Sequence, residues 1–266
     1  MRLRHSIRNL LYFYIVFIPY VLFGDLNNGL VAWYPFDGNA SDMSGNDKHG
    51  TVHGATLAID RHGQINKAYS FDGVNDKIVI SGAEESTPGE ITVTAWVKIQ
   101  STSGEQMIVR KGDVSKWWAL HYYNSALTWS FDDDSAKRVA QSTISPSEDW
   151  VFVVGIRKPG VSNQIFVNGN IANSTTDNNQ LVSIPSDLTI GGQNNIRFYD
   201  GPIDDIRIYD RALSAAEVLA LYNLEKAKDS INRFEFSDRG KPMVLRRDQC
   251  HRHLRPHQRL EYLSGD

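Results

Sequence analysis

From Leu30 onward the chain alternates short apolar-rich runs with clusters of Gly, Asn, Asp and Ser. Residues 91–99 switch between apolar and polar side chains, the period of a strand with one buried face. Residues 150–156 are apolar on both faces and suit a central strand. Two runs, 164–167 and 170–172, flank Asn168-Gly169, and that dipeptide supplies the two positive-φ residues of a type I′ hairpin turn. Further strands are expected at 30–36, 68–71, 77–80, 107–110, 118–122, 127–131, 188–190 and 203–209. Phe36, Phe71, Trp96 and Ile206 are spaced to turn inward from them. One helix signal is clear: Ser214-Ala215-Ala216-Glu217 is a capping box, followed by Val218, Leu221 and Tyr222 on one face. Strands this short and frequent, without helical crossovers, predict an all-β fold of two packed antiparallel sheets, with one short C-terminal helix ending near Asn223.

The ends read differently from the body. Residues 1–24 combine a basic start, with Arg2, Arg4 and Arg8, and an apolar run from Leu10 to Phe23. That run spans roughly 21 Å as a helix, short of the ~30 Å hydrocarbon core of a bilayer. It reads as a signal peptide or an uncleaved N-terminal membrane anchor, and either would place the body in the secreted or cell-surface compartment. Residues 225–266 lose the strand rhythm and form a basic, His-containing tail, expected to be mobile or peripheral. The remaining domain, residues 25–224, carries the acidic excess behind the formal net charge of −3. An acidic body argues against nucleic acid as a partner, because phosphate binding needs a basic face. Cys250 is the only cysteine, so no internal disulfide is available.

The order of motifs resembles a known family. Gly29-Leu30-Val31-Ala32-Trp33-Tyr34-Pro35-Phe36-Asp37-Gly38-Asn39-Ala40 is followed by Tyr69-Ser70-Phe71-Asp72-Gly73, Thr94-Ala95-Trp96-Val97 and Lys111-Gly112-Asp113. Trp150, Val167-Asn168-Gly169 and Leu188-Thr189-Ile190-Gly191-Gly192 come next. The series closes with Gly201-Pro202-Ile203-Asp204-Asp205-Ile206-Arg207-Ile208-Tyr209 and Arg211-Ala212-Leu213-Ser214. This succession resembles the laminin G-like, concanavalin A-like lectin domains. The resemblance implies a jelly-roll sandwich, extracellular placement, and binding or adhesion to carbohydrate or a glycoprotein, often with calcium. It specifies the ligand only weakly, since one fold serves many partners.

Two sets of residues are candidates for chemistry. Asp37, Asp42 and Asn46, with the Asp204-Asp205 pair, offer the oxygen ligands calcium prefers, and the family's neighbouring first and last strands would bring them together. Such an ion would be structural; the same loop also suits an Asx turn that caps itself. For ligand contact, Trp118, Leu120 and Tyr122 alternate into the core, leaving Trp117, His121 and Tyr123 outward, beside the loop Gln193-Asn194-Asn195. Three adjacent carboxylates, Asp132-Asp133-Asp134, suit a solvated turn better than a metal site. The alternative function is a carbohydrate-active hydrolase of the same fold. That chemistry needs two carboxyls on one face. No Glu-x-Asp-x-Glu run exists, and Glu84-Glu85 and Glu148-Asp149 would point to opposite faces of a strand. A non-enzymatic binding module is therefore expected.

Overall fold

The computed structural model describes residues 26–82, 89–113, 115–133, 137–147, 149–177, 186–193 and 196–233. The N-terminal 1–24 segment, Glu84, Glu85, Asp134, Glu148, Asn194, Asn195 and the tail with Cys250 lie outside them. Among the described residues fifteen strands follow one another before one helix. They are β1 (Leu30–Tyr34), β2 (Thr51–His53), β3 (Thr56–Ala58), β4 (Ala68–Asp72), β5 (Lys77–Ile80), β6 (Ile91–Val97), β7 (Gln106–Gly112) and β8 (Lys116–Tyr123). The remainder are β9 (Ala126–Asp133), β10 (Lys137–Thr143), β11 (Val151–Lys158), β12 (Ser162–Val167), β13 (Asn170–Thr176), β14 (Leu188–Ile190) and β15 (Asp200–Tyr209). Helix α1 (Ala215–Arg233) completes the order.

These strands form two antiparallel sheets, as the alternation predicted. The first runs β13-β12-β11-β6-β15-β4-β3, with β1 also paired to β15; the second runs β10-β9-β8-β7-β14-β5-β2. The all-apolar β11 lies between β6 and β12, so it is central. Three strands escaped the sequence reading, β2, β3 and β10. Each ends a sheet, where one flank needs no apolar alternation. β10 and β13 close one side of the sandwich, with Asn173 and Thr175 donating side-chain hydrogen bonds to the carbonyls of Gln141 and Val139 at 3.0 and 3.3 Å.

The main core lies between the sheets, where Val93, Ala95, Val97 and Val153 share a cluster with Trp118, Leu120, Leu127 and Trp129. Trp118 and Trp129 pack with ring centroids 5.7 Å apart. Gly155 lets the sheets meet there, since a Cβ on it would stand 2.3 Å from the Trp129 ring. At the expected hairpin Asn168 and Gly169 take φ values of 49° and 80°, as a type I′ turn requires.

Phe36, Phe71 and Ile206 belong to this core, but Trp96 does not. Because Val93, Ala95 and Val97 point between the sheets, Trp96 must point to the opposite face. It is buried there in a second cluster, with Phe152, Val154, Phe166 and the helix residues Val218 and Leu221. The helix is therefore a third layer over the first sheet. Its capping box forms as read: Glu217 accepts from the Ser214 backbone N–H at 2.7 Å, and the Glu217 N–H reaches the Ser214 hydroxyl at 3.3 Å. The helix continues beyond the expected end at Asn223, and Glu225 on it is fully buried. The helix thus runs past Leu224, where the sequence reading placed the end of the domain. No helix among the described residues is long and apolar enough to cross a membrane.

Candidate functional site

The two sheets present unlike outer faces. Helix α1 covers the first, whereas on the second the flank of β8 that alternates away from the core reaches solvent at its two ends and is buried at Ala119 and His121 between them. Trp117 and Tyr123 are on that flank, the first half-buried and the second 43% exposed. His121 shares their side of the strand but is completely buried, which corrects its expected outward exposure. Alternation sets the side of the sheet; long side chains from neighbouring segments decide whether that side is wet.

Those neighbours form a polar chain across the face. The Arg197 guanidinium hydrogen-bonds Gln193 at 2.8 Å and pairs with Glu105, also at 2.8 Å. The other Glu105 oxygen stands 2.9 Å from His121 Nδ1, and His121 Nε2 lies 2.9 Å from the Ser130 hydroxyl on β9. Burial pushes the His121 imidazole below the usual histidine range, and Lys137 and Arg197 reinforce it against the pull of Glu105. Glu105 is held below the usual carboxylate range by its hydrogen bond to His121, then by the charges of His121, Arg197 and Lys137. Trp117 lies beside this chain with cations over its ring, Lys137 at 5.2 Å and Arg110 at 5.6 Å. Arg110 donates to the carbonyls of Gly112 and Asp113, and burial followed by Arg197 pushes its pKa down to about 10.

Gln193 thus joins the site that Trp117 and His121 begin, while Tyr123 marks its rim. Glu105, Arg110, Ser130, Lys137 and Arg197 went unrecognised in the sequence. Only Ser130 carried a legible signal, lying on the same side of β9 as Thr128 and opposite Trp129. Of the other four, Arg110 lies inside β7, while Glu105, Lys137 and Arg197 come from strand ends or turns, and Arg197 adopts a left-handed φ of 56° that no pattern announces.

The connectivity Glu105–His121–Ser130 matches that of an acid, base and nucleophile. Ser130 is 0% exposed, however, so no acyl carbon can reach its hydroxyl in this arrangement.

The five calcium candidates lie near the β1–β15 pair but have other partners. Asp42 accepts the N–H groups of Trp33, Ser44 and Lys48 at 2.9, 2.9 and 3.1 Å, and these hold its carboxyl below the usual range despite burial. Asn46 turns its amide NH₂ toward the carbonyls of Leu30 and Val31, at 3.3 and 3.2 Å. Asp37 pairs with Lys67 at 3.3 Å near the surface. Asp204 and Asp205 both meet Arg61, and Asp205 also meets Arg207 at 3.3 Å and the Trp33 indole at 2.7 Å. Arg207 continues to Glu225 on the helix at 2.8 Å. Guanidinium groups occupy the place a cation would take at Asp204 and Asp205, Asp42 and Asn46 are spent on backbone groups, and Asp37 is paired with Lys67, so these residues do not fit a calcium ion as they stand. Among the described residues no group of three or more His, Cys, Asp or Glu is placed to hold a metal.

A family model described as the concanavalin A-like lectin/glucanases superfamily, of laminin G type, matches residues 72–219, more than half of the chain. The chain belongs to this superfamily. The laminin G-like match covers the strands that build the polar face and most of the second core. Among solved structures of the fold, domain 4 of the extracellular GH43 arabinanase AbnA from Geobacillus stearothermophilus, in complex with arabinotriose, is 20% identical with a TM-score of 0.62. The alignment covers 73% of this chain and 98% of that one. The binding domain of Paraclostridial Mosquitocidal Protein 1 is 19% identical with a TM-score of 0.64, covering 75% of this chain and 53% of that one. For the binding domain of botulinum neurotoxin serotype D the values are 17%, 0.63, 77% and 53%. This laminin G-like chain spans about half the length of those toxin domains. No protein of curated function matches it.

Proposed function

We propose that the protein is a non-catalytic binding module that takes a saccharide on the outer face of its second sheet. The observation that carries this reading is the exposed Arg197 guanidinium, anchored by Glu105 and Gln193 with His121 and Ser130 buried behind them, on the same sheet face as Trp117, which no helix covers among the described residues. Hydrogen-bonding groups fixed next to an aromatic ring are what recognition of hydroxyls and C–H surfaces demands. Support also comes from relatives of the fold: AbnA domain 4 was solved with arabinotriose, and cell entry of botulinum neurotoxin type C is dependent upon interaction with two ganglioside molecules. Secretion or display at the cell surface is the placement this role requires, with adhesion as its outcome.

The test is a glycan array probed with purified protein and its Trp117→Ala variant. The variant should lose about five- to thirtyfold in affinity, since stacking and charge contacts of this kind are worth roughly 1–2 kcal/mol. Unaltered circular dichroism would show that the fold survives. Release of reducing ends from a bound polysaccharide would replace the binding reading with a hydrolytic one.

A further inference from the structure

The body of the protein is acidic, yet three cations converge on the ligand face. Lys137 is exposed above Trp117, and Arg197 is 43% exposed at its side chain. Both are close enough to Glu105 and His121 to influence their protonation. Beneath them Arg110 is buried with backbone carbonyls as its hydrogen-bond acceptors. Three carboxylates also face this region. Glu105 is shared between Arg197 and His121. Asp132 stands across the β9–β10 ladder from Lys137. Asp113 is turned into its own loop, where its oxygen accepts the N–H groups of Ser115 and Lys116 at 2.8 and 2.9 Å.

Two features orient the positive charge outward. Arg197 uses Nε and Nη1 on Glu105 and Gln193, and its backbone carbonyl accepts the Met107 N–H at 3.0 Å, so the guanidinium is anchored at the rim of the face. Lys137 rests over the Trp117 ring, the surface a sugar would use for stacking. A neutral sugar stacking there must displace this ammonium group and gains nothing from its charge. A sugar bearing an anionic group keeps the ammonium as a partner, through a charge-assisted hydrogen bond.

Resting on the binding reading above, we propose that the ligand is an acidic saccharide whose carboxylate or sulfate is received between Lys137 and Arg197, with Trp117 as the floor. The acidic remainder of the body repels polyanions elsewhere, so recognition is confined to this face.

The full chain is tested against immobilised polygalacturonate, heparin and neutral arabinan over a range of sodium chloride concentrations. The expected result is retention on one or both acidic polymers, weakening as salt rises, with arabinan held less tightly. Polygalacturonate against heparin separates carboxylate from sulfate as the group received. Lys137→Glu, an exposed substitution that leaves the core intact, and Arg197→Gln should each weaken acidic binding by about tenfold or more. Arabinan held as tightly as both acidic polymers overturns the inference and leaves the binding module standing. Acidic binding unchanged in Lys137→Glu and Arg197→Gln also overturns it. Failure to retain any of the three polymers overturns both readings together.

Discussion

At the residue scale, the buried charges beneath the helix show how position decides what a carboxyl does. Arg61 and Arg207 face three acids, Asp204, Asp205 and Glu225, so one negative charge is in excess. Burial, with the neighbouring Asp205, raises the pKa of Glu225; burial likewise raises that of Asp204. A carboxyl whose folded-state pKa stands above its unfolded value stabilises the fold most below that unfolded value, about 4.3 for Glu, and the contribution is lost as pH rises through the folded value. Glu225→Gln should therefore lose less stability than the parent as pH rises from about 4, as denaturant titrations at each pH would read. Arg207→Leu should be far more severe, costing about 3–5 kcal/mol, because it leaves Asp205 and Glu225 without a partner they share. Equal losses in the two variants would contradict a surplus of negative charge. Gly155→Ala tests the other extreme, a site with no charge at all. The added methyl meets the Trp129 ring, and thermal unfolding should show a loss of about 1–3 kcal/mol.

At the element scale, α1 is a structural part of the sandwich and not an appendage to it. Its Val218 and Leu221 cover Trp96 and Phe152, while Glu225 binds Arg207 and the Trp96 indole. A chain ended after Leu224 leaves that indole N–H and part of Arg207 unsatisfied, at a cost of about 1–3 kcal/mol. Its melting temperature should lie roughly 5 °C below that of a chain ended after Arg233. Identical melting curves would return the boundary to Leu224. The strand β8 teaches a related lesson. Its alternation correctly separated Trp118, Leu120 and Tyr122 from Trp117, His121 and Tyr123. It did not foresee that Glu105 and Arg197, from segments far apart along the chain, would enclose His121.

At the scale of the whole molecule, Asp42 is answered by backbone amides, and Asp204 and Asp205 by arginines, rather than by a shared cation. Thermal melts in calcium and in chelator should then coincide; a clear rise with calcium would mean that the ion displaces Arg61 or binds elsewhere. What the sequence by itself determined was local and periodic: two sheets, the central place of β11, the Asn168-Gly169 hairpin and the capping box at Ser214. Each follows from side-chain alternation or from a backbone preference acting within a few residues. Only the tertiary structure decided which oxygens met which cations, that Trp96 belonged under the helix, and that Gln193, Arg197, Glu105, His121 and Ser130 formed one chain. Those outcomes depend on how the strands lie beside one another and on the reach of long side chains across them, and neither is written in any single run of the sequence.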